Sequence, residues 1–192
     1  MDTLIFATNN PNKVKEVKSL LNSRLVVLSL SDAGIIIDIP EPFDTLEENA
    51  YEKARVIHEI TGSNCFAEDT GLMVASLNGE PGVKSARYAG ENKSAEENID
   101  KLLFNLKDKS NRKAQFKTII SIIIGDTHHI FDGICKGIIT YERKGRSGFG
   151  YDSIFVPEGS AKTFAEMTLE EKNIFSHRKK AFEKLMNFLT HP

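Results

Sequence analysis

The sequence has no tryptophan and only two cysteines among its 192 residues. It also has no apolar run near the length of about 18 residues that a membrane-spanning helix needs. No basic region precedes the first apolar stretch, so we expect neither a signal peptide nor a membrane partner. Cys65 and Cys135 both lie in apolar stretches. This placement predicts buried free thiols in a reducing compartment, and therefore a cytoplasmic protein.

Neither sign of charge dominates, because the formal net charge at pH 7 is −2. A balance this close to zero provides no bulk attraction to nucleic acid, which we therefore do not expect as a partner. There is no cysteine and histidine pattern for zinc and no G-x-S-x-G motif for a serine nucleophile. The hydrophobic fraction of 40% is that of a globular protein, and we expect one domain over residues 1–192.

Helical and extended patterns alternate along the chain and indicate its fold class. A strand over residues 3–7 leads into a helix that begins at Pro11, with Asn10 as its N-cap. Two long strands over 116–124 and 129–141 meet at a glycine-containing turn, which predicts a hairpin. Further strands are predicted over 25–30, 64–67 and 151–156, and further helices over 45–61, over 95–106 and from Thr168 onward. We expect an α/β protein with a mixed twisted sheet flanked by helices on both faces, a central long hairpin and one or two lobes.

Two adjacent acids, Glu68 and Asp69, follow a short apolar strand. Buried carboxylates are costly unless something pairs with them, and Mg²⁺ is often held by one or two carboxylates plus substrate phosphates. Glu41 lies between two prolines in a loop and could complete such a site with them. Asp44 and Glu47 remain alternatives for the second metal ligand. The competing interpretation is that these are surface acids that bind nothing.

The loop over residues 8–13 joins the first strand to the first helix. Backbone N–H groups and the helix dipole point at such a loop, which predicts an anion site. Lys13 adds a positive charge, although the loop lacks the Walker A pattern. The alternative is a capped helix with a solvated lysine. The residues of this predicted site are Thr8, Asn9, Asn10, Pro11, Asn12 and Lys13.

A third candidate site is the loop around Phe149. Two glycines beside an aromatic ring would let the backbone approach a flat ligand closely. No helix follows the loop, so a Rossmann site is excluded, and a bulged hairpin turn is the alternative. The residues of this predicted site for a flat ligand are Phe149, Gly150, Tyr151 and Asp152.

A fourth candidate site is the basic cluster of Lys172, His177 and Arg178. On one straight helix Lys172 and Arg178 would lie about 240° apart and could not converge. Ser176 could begin a new helix as its N-cap and place the other two residues in a first turn. Cations are unfavourable there, which points to an anionic or hydrogen-bonding ligand. Together, the candidate sites suit Mg²⁺-dependent chemistry on a nucleotide phosphate.

These motifs, in this order, resemble the inosine triphosphate pyrophosphatase family, also called Ham1-like proteins. The resemblance covers nearly the whole chain. It rests on Phe6-Ala7-Thr8-Asn9-Asn10 through Lys13 and Glu16, Glu48-Asn49-Ala50 with Lys53-Ala54, Glu68-Asp69-Thr70-Gly71-Leu72, Gly82 with Ser85-Ala86-Arg87-Tyr88-Ala89-Gly90, Gly148-Phe149-Gly150-Tyr151-Asp152, and Phe164-Ala165-Glu166-Met167 through Glu171-Lys172 to Ser176-His177-Arg178.

The resemblance implies Mg²⁺-dependent hydrolysis of ITP, dITP and XTP to the monophosphate and pyrophosphate, which keeps deaminated purines out of nucleic acids. It also implies a homodimer. The implied roles are triphosphate binding for residues 8–13, proton acceptor and metal ligand for Asp69, metal ligand for Glu41 with Glu68 in support, and substrate binding for Thr70, Phe149 to Asp152, Lys172, His177 and Arg178.

Three positions depart from the family pattern. Asn9 stands where many members have glycine, Glu68 where many bacterial members have aspartate, and Ser153 where many have proline. Asparagine tolerates a left-handed backbone and glutamate keeps the charge, so we expect mild effects. Two other functions remain open: a Maf-like pyrophosphatase with another base preference, and a sensor that binds a purine nucleotide without turnover.

Overall fold

The computed structural model describes residues 2–21 and 25–191, and all statements below concern these residues. The strands are β1 (Asp2–Phe6), β2 (Leu25–Ser29), β3 (Cys65–Val74), β4 (Pro81–Gly82), β5 (Lys113–Ile124), β6 (Thr127–Ile139) and β7 (Phe155–Pro157). The α-helices are α1 (Pro11–Leu20), α2 (Leu46–Thr61), α3 (Ala95–Asn105), α4 (Leu169–Phe175) and α5 (His177–Thr190). Short 3₁₀ helices cover Ala75–Leu77, Val83–Arg87, Asp152–Ile154 and Phe164–Glu166.

In the described part of the chain, seven strands form one sheet with the order β2-β1-β3-β5-β6-β7, and β4 pairs with β3. β1 runs parallel to both of its neighbours, with Phe6 beside Ser29 of β2 and Phe66 of β3. The β3–β4 and β6–β7 pairs are antiparallel. The sheet is therefore mixed. The predicted α/β class and the long hairpin, here β5 and β6, are confirmed.

Local capping residues explain several helix boundaries. The Asn10 side chain accepts hydrogen bonds from the N–H groups of Asn12 and Lys13, so α1 begins at Pro11 as predicted. Thr168 forms a reciprocal capping box with Glu171 at the start of α4.

The strand predicted over 151–156 is partly wrong. Residues 152–154 form a 3₁₀ turn, and the strand begins only at Phe155. The Asp152 carboxylate accepts a hydrogen bond from the N–H of Phe149 and so folds the backbone into a turn where the apolar pattern alone indicates a strand.

The described chain divides into two compact units. The first unit comprises the described residues of Met1–Asp69, Thr118–Gly133 and Arg178–Pro192, and the second comprises Thr70–Lys117 and Ile134–His177. Strands β3, β5 and β6 each contribute residues to both units.

The first unit has an apolar core on each face of its strands. Successive side chains of a strand point to opposite faces, so Phe66 and its neighbour Cys65 enter different cores. Helices therefore cover both faces of these strands, as predicted. One core contains Leu4, Phe6 and Phe66 with Val17 of α1 and Phe182 of α5. The other contains Ile5, Cys65 and Ala67 with Ala54 and Ile57 of α2.

The second unit has its own core, in which α3 packs against strand residues. Its members include Leu72, Val74, Leu102, Phe116, Cys135 and Phe155. Cys135 and Cys65 are both buried and free, which confirms the predicted absence of a disulfide. Burial raises the pKa of the Cys65 thiol to about 12, so this thiol stays protonated at neutral pH. None of the described helices is long and apolar enough to cross a membrane.

Candidate active site

Strand β3 separates the two adjacent acids of the sequence motif. Glu68 lies on the same face of β3 as Phe66 and contacts residues of α1 and α5. Asp69 lies on the same face of β3 as Ala67 and contacts Lys53 of α2. Because neighbouring strand residues face opposite ways, one dipeptide supplies a carboxylate to each side of the first unit.

The Glu68 side holds a buried network of four charges. Arg178 Nε and Nη2 donate to the two oxygens of Glu68 at 2.7 and 2.8 Å, and Arg178 Nη1 donates to Glu16. Lys13 Nζ lies 3.1 Å from Glu68 Oε1. Two carboxylates therefore balance two cations in a part of the molecule where the Arg178 side chain is only 2% exposed.

The network fixes the charge states of its members. Burial by itself would raise the pKa of Glu68, but the charges of Arg178 and Lys13 outweigh burial and lower this pKa below its ordinary value. Burial likewise opposes the charged form of Arg178, yet Glu68 and Glu16 raise its pKa above the ordinary value. Both groups therefore stay ionised in the folded protein.

The Asp69 side is built around Lys53 of α2. Lys53 Nζ donates to Glu41 Oε1 at 2.5 Å and to Asp69 Oδ1 at 3.1 Å. Burial raises the pKa of Asp69 and the Glu41 charge adds to this, whereas Lys53 and Lys13 oppose it. The pKa of Lys53 is raised despite burial, because two carboxylates face its ammonium group. Asp69 is therefore a buried carboxylate whose affinity for a proton is increased.

The three predicted metal ligands do not converge. Glu41 and Asp69 share the Lys53 ammonium group, whereas both oxygens of Glu68 accept hydrogen bonds from Arg178 on the other side of β3. Among the described residues, no group of three or more acidic, histidine or cysteine side chains is arranged to hold a metal. The carboxylates of Glu41 and Asp69, which share Lys53, still fit Mg²⁺, because this ion completes its ligands with water and substrate phosphates. Of the predicted acids, Glu41 is the one that shares the Lys53 ammonium group with Asp69.

The loop over residues 8–13 has a defined conformation. Thr8 Oγ1 accepts from the N–H of Asn10, and Asn9 Nδ2 donates to the Ile37 carbonyl at 2.7 Å. The Asn10 side chain already accepts from two N–H groups of the first helical turn, those of Asn12 and Lys13. The ammonium group of Lys13 is therefore the strongest feature of this loop for binding an anion.

The second unit contains a separate cluster around Lys172. Asp152 Oδ2 accepts from Lys172 Nζ at 2.6 Å and from the N–H of Phe149 at 2.9 Å. The same ammonium nitrogen lies 5.1 Å from the ring centroids of both Phe149 and Phe164. Lys172 is thus held by one carboxylate and two aromatic rings, a setting that stabilises a cation.

The other predicted residues of the second unit are also placed by specific contacts. The His177 ring stacks on Phe116 with 4.7 Å between centroids and 15° between planes. Tyr151 donates its hydroxyl to the Ser85 carbonyl at 2.8 Å, and burial raises the pKa of this hydroxyl. Thr70 is half-buried in β3.

The predicted break at Ser176 is confirmed, because α4 ends at Phe175 and α5 begins at His177. The sequence predicted an anionic or hydrogen-bonding ligand facing the cations at this helix start. For Arg178 the structure supplies two such anions from the protein itself, Glu68 and Glu16.

Two charged residues of these clusters, Lys53 and Glu16, were not among the predicted site residues. Lys53 carried a usable signal, since it lies one turn after Ala50 on the apolar stripe of α2 and a buried lysine requires an anion. Glu16 precedes Val17 on α1, and nothing in the local sequence indicates that its partner is Arg178, which lies 162 residues away.

The fold and these clusters define an α/β protein with a lysine between two carboxylates and a buried arginine network. Residues 4–188 match the model of the Ham1 family, and the chain belongs to this family.

Named relatives align over almost the whole chain. A dITP/XTP pyrophosphatase of Flavobacterium johnsoniae is 51% identical over 187 residues, which are 97% of each chain. A dITP/XTP pyrophosphatase of Bacillus subtilis is 42% identical over 98% of each chain. The solved structure of the Staphylococcus aureus Ham1 protein has a TM-score of 0.88 at 39% identity over 98% of each chain. A HAM1 protein from Coxiella burnetii has a TM-score of 0.90 at 37% identity over 100% of each chain.

Proposed function

We propose that this chain hydrolyses the purine nucleoside triphosphates ITP, dITP and XTP to the monophosphate and pyrophosphate, acting as one catalytic domain over residues 1–192. The names of the relatives support this activity. The observation that carries the proposal is the cluster in which the buried Lys53 links the buried Asp69 to the half-buried Glu41. It offers a proton acceptor and a pair of metal ligands in one place.

Glu41 and Asp69 would hold Mg²⁺ in this cluster. The ion neutralises phosphate charge and polarises phosphate oxygens when bound. Glu68 supports the site through its charge, since Arg178 and Lys13 already contact its oxygens.

Asp69 is the proton acceptor for the attacking water. Lys53 fixes the carboxylate through a hydrogen bond to Oδ1, which leaves Oδ2 to orient a water toward the α-phosphorus. Attack there breaks the bond to the β-phosphate oxygen, so pyrophosphate leaves. Lys13 offsets the developing charge on the leaving group.

The cluster around Lys172 is proposed to recognise the base. Phe149 offers a ring for stacking, and His177 offers ring nitrogens for hydrogen bonding. A buried donor aimed at the 6-oxo group would favour hypoxanthine and xanthine, because adenine would leave that donor unpaired. Thr70 and the backbone of residues 150–152 are further proposed contacts. Arg178 contributes through the carboxylates that it holds.

The test is to incubate the protein with MgCl₂ and a panel of nucleoside triphosphates and to assay pyrophosphate and orthophosphate separately. ITP, dITP and XTP turnover with pyrophosphate release is the expected result. Preference for TTP or UTP would instead identify a Maf-like enzyme, and nucleotide binding without release would identify a sensor. A mock purification from cells that do not express the protein is the control for contaminating activity.

We also propose that the protein works as a homodimer in the cytoplasm. The two buried free thiols support a reducing location. Light scattering coupled to size-exclusion chromatography tests the dimer, which requires a mass of twice 21.4 kDa.

A further inference from the structure

Glu16 is a buried carboxylate with no part in the chemistry described above. It lies beyond the first turn of α1, so the helix dipole, which favours acids only in that turn, does not explain it. A buried carboxylate needs a charged or hydrogen-bonding partner. Arg178 Nη1 donates to Glu16 Oε2 and supplies one.

The guanidinium of Arg178 therefore joins two carboxylates from different elements. Its Nε and Nη2 bind Glu68 of β3, and its Nη1 binds Glu16 of α1. Because a guanidinium is planar and presents its donors in a rigid fork, the contact with Glu16 fixes the plane in which Glu68 is bound.

The contacts of Glu68 return to the helix from which Glu16 comes. Glu68 Oε1 lies 3.1 Å from Lys13 Nζ, and Lys13 precedes Glu16 by three residues on α1. Side chains three residues apart lie on the same side of a helix. The network thus begins and ends on one side of α1, and its end is the ammonium group of the predicted phosphate loop.

We propose that Glu16 is a positioning residue for triphosphate binding, acting through Arg178 and Glu68 on Lys13. Removal of the Glu16 charge leaves Glu68 as the acid that balances Arg178. Glu68 is then drawn toward the guanidinium, and its hold on Lys13 weakens. This inference rests on the proposed function, because it takes residues 8–13 as a phosphate site.

The test is a double-mutant cycle of Glu16→Gln and Lys13→Met, with inorganic tripolyphosphate as the probe and isothermal titration calorimetry in MgCl₂ as the measurement. Glu16→Gln should weaken binding about fivefold in the wild-type background, within the range of measured couplings between contacting groups. In the Lys13→Met background, Glu16→Gln should weaken tripolyphosphate binding by less than about 1.5-fold. A purely structural role for Glu16 would weaken binding equally in both backgrounds.

Glu183→Gln is the matched control, since Glu183 forms an exposed ion pair with Lys179 on α5, and it should leave tripolyphosphate binding unchanged. If Glu16→Gln does not fold, Glu16→Asp takes its place in the cycle, because it keeps the charge but withdraws the carboxylate by one methylene.

The inference is overturned if Glu16→Gln weakens binding equally in both backgrounds, or if the Lys13→Met single variant binds tripolyphosphate as tightly as the wild type. ITP turnover by the wild-type protein is measured separately. Its absence beside an intact coupling would reject the proposed reaction and leave the positioning role standing.

Discussion

Glu68 and Asp69 are consecutive residues of β3, yet their carboxylates serve opposite faces of the strand. Glu68 is bound by Arg178, and Asp69 is bound by Lys53. Burial acts on both acids, but their pKa values move in opposite directions because the balance of neighbouring charge differs. Glu68 therefore keeps its charge at neutral pH, and Asp69 has an increased affinity for a proton. Single substitutions should separate these roles.

Asp69→Asn should remove most of the activity and keep the fold. The amide cannot accept a proton from water, so we expect a loss of about 10²–10⁴-fold in kcat with ITP. Folding raises the pKa of Asp69, so the charge of this carboxylate is not a net source of stability, and Lys53 retains Glu41 as a partner. The thermal midpoint by circular dichroism should therefore stay close to that of the wild type. Asp100→Asn, at an exposed ion pair with Arg143, is the control. Near-wild-type turnover by Asp69→Asn would remove Asp69 from the mechanism.

Glu68→Gln should act mainly on stability. The substitution leaves the buried Arg178 with one carboxylate fewer, and breaking a buried ion pair costs about 3–5 kcal/mol. Urea unfolding gives the free energy of unfolding directly. Glu183→Gln, at an exposed pair, should cost less than about 1 kcal/mol. Equal costs for the two variants would show that the Arg178 network does not stabilise the fold.

The lowered pKa of Glu68 predicts how stability depends on pH. In the unfolded chain Glu68 has its ordinary value of 4.5, and in the folded protein its pKa is lower. Between these values the unfolded state binds more protons, so stability falls as pH decreases. The Glu68 contribution is complete above pH 4.5 and is lost as pH falls toward the folded pKa.

Urea unfolding at several pH values below 4.5 checks this prediction. The wild type should lose more stability over that range than Glu68→Gln, which has no proton to gain at this position. Parallel curves for the two proteins would show that the pKa of Glu68 is not lowered by folding.

Much of this arrangement is encoded locally and some of it is not. The capped start of α1 and the break at Ser176 follow from single residues, and both were predicted. Strand alternation alone would have placed Glu68 and Asp69 on opposite faces. The partner of Glu68 could not be predicted in this way, because Arg178 lies 110 residues away and reaches it only through tertiary folding.

The Phe149 loop shows a local signal that competes with another. The apolar run over residues 151–156 favours a strand. At its start, however, the Asp152 carboxylate accepts a hydrogen bond from the N–H of Phe149, and residues 152–154 form a 3₁₀ turn instead. The sequence composition does not reveal that Lys172 donates to Oδ2 of Asp152, the oxygen that also accepts from Phe149, although Lys172 and Asp152 are only 20 residues apart. Lys172 and Asp152, both predicted to bind substrate, are therefore held by a mutual ion pair that the sequence pattern does not specify.

The close approach of Asp152 to this loop depends on Gly148. A Cβ added there would lie 2.2 Å from Asp152 Oδ2, the oxygen that binds both Phe149 and Lys172. Gly148→Ala should therefore displace the carboxylate and leave the buried Lys172 without its acid. Gly150→Ala is a matched control, because Gly150 also has a positive φ of 57° but has open space around its Cβ position.

Both alanines pay a left-handed backbone cost of about 1–2 kcal/mol, which the comparison cancels. Gly148→Ala should then lose more stability than Gly150→Ala by about 1–3 kcal/mol, the penalty for a buried polar group left without a partner. The measurement is the difference between the two free energies of unfolding in urea. Equal values would mean that Asp152 moves aside freely, and that its bond to Lys172 does not hold the loop.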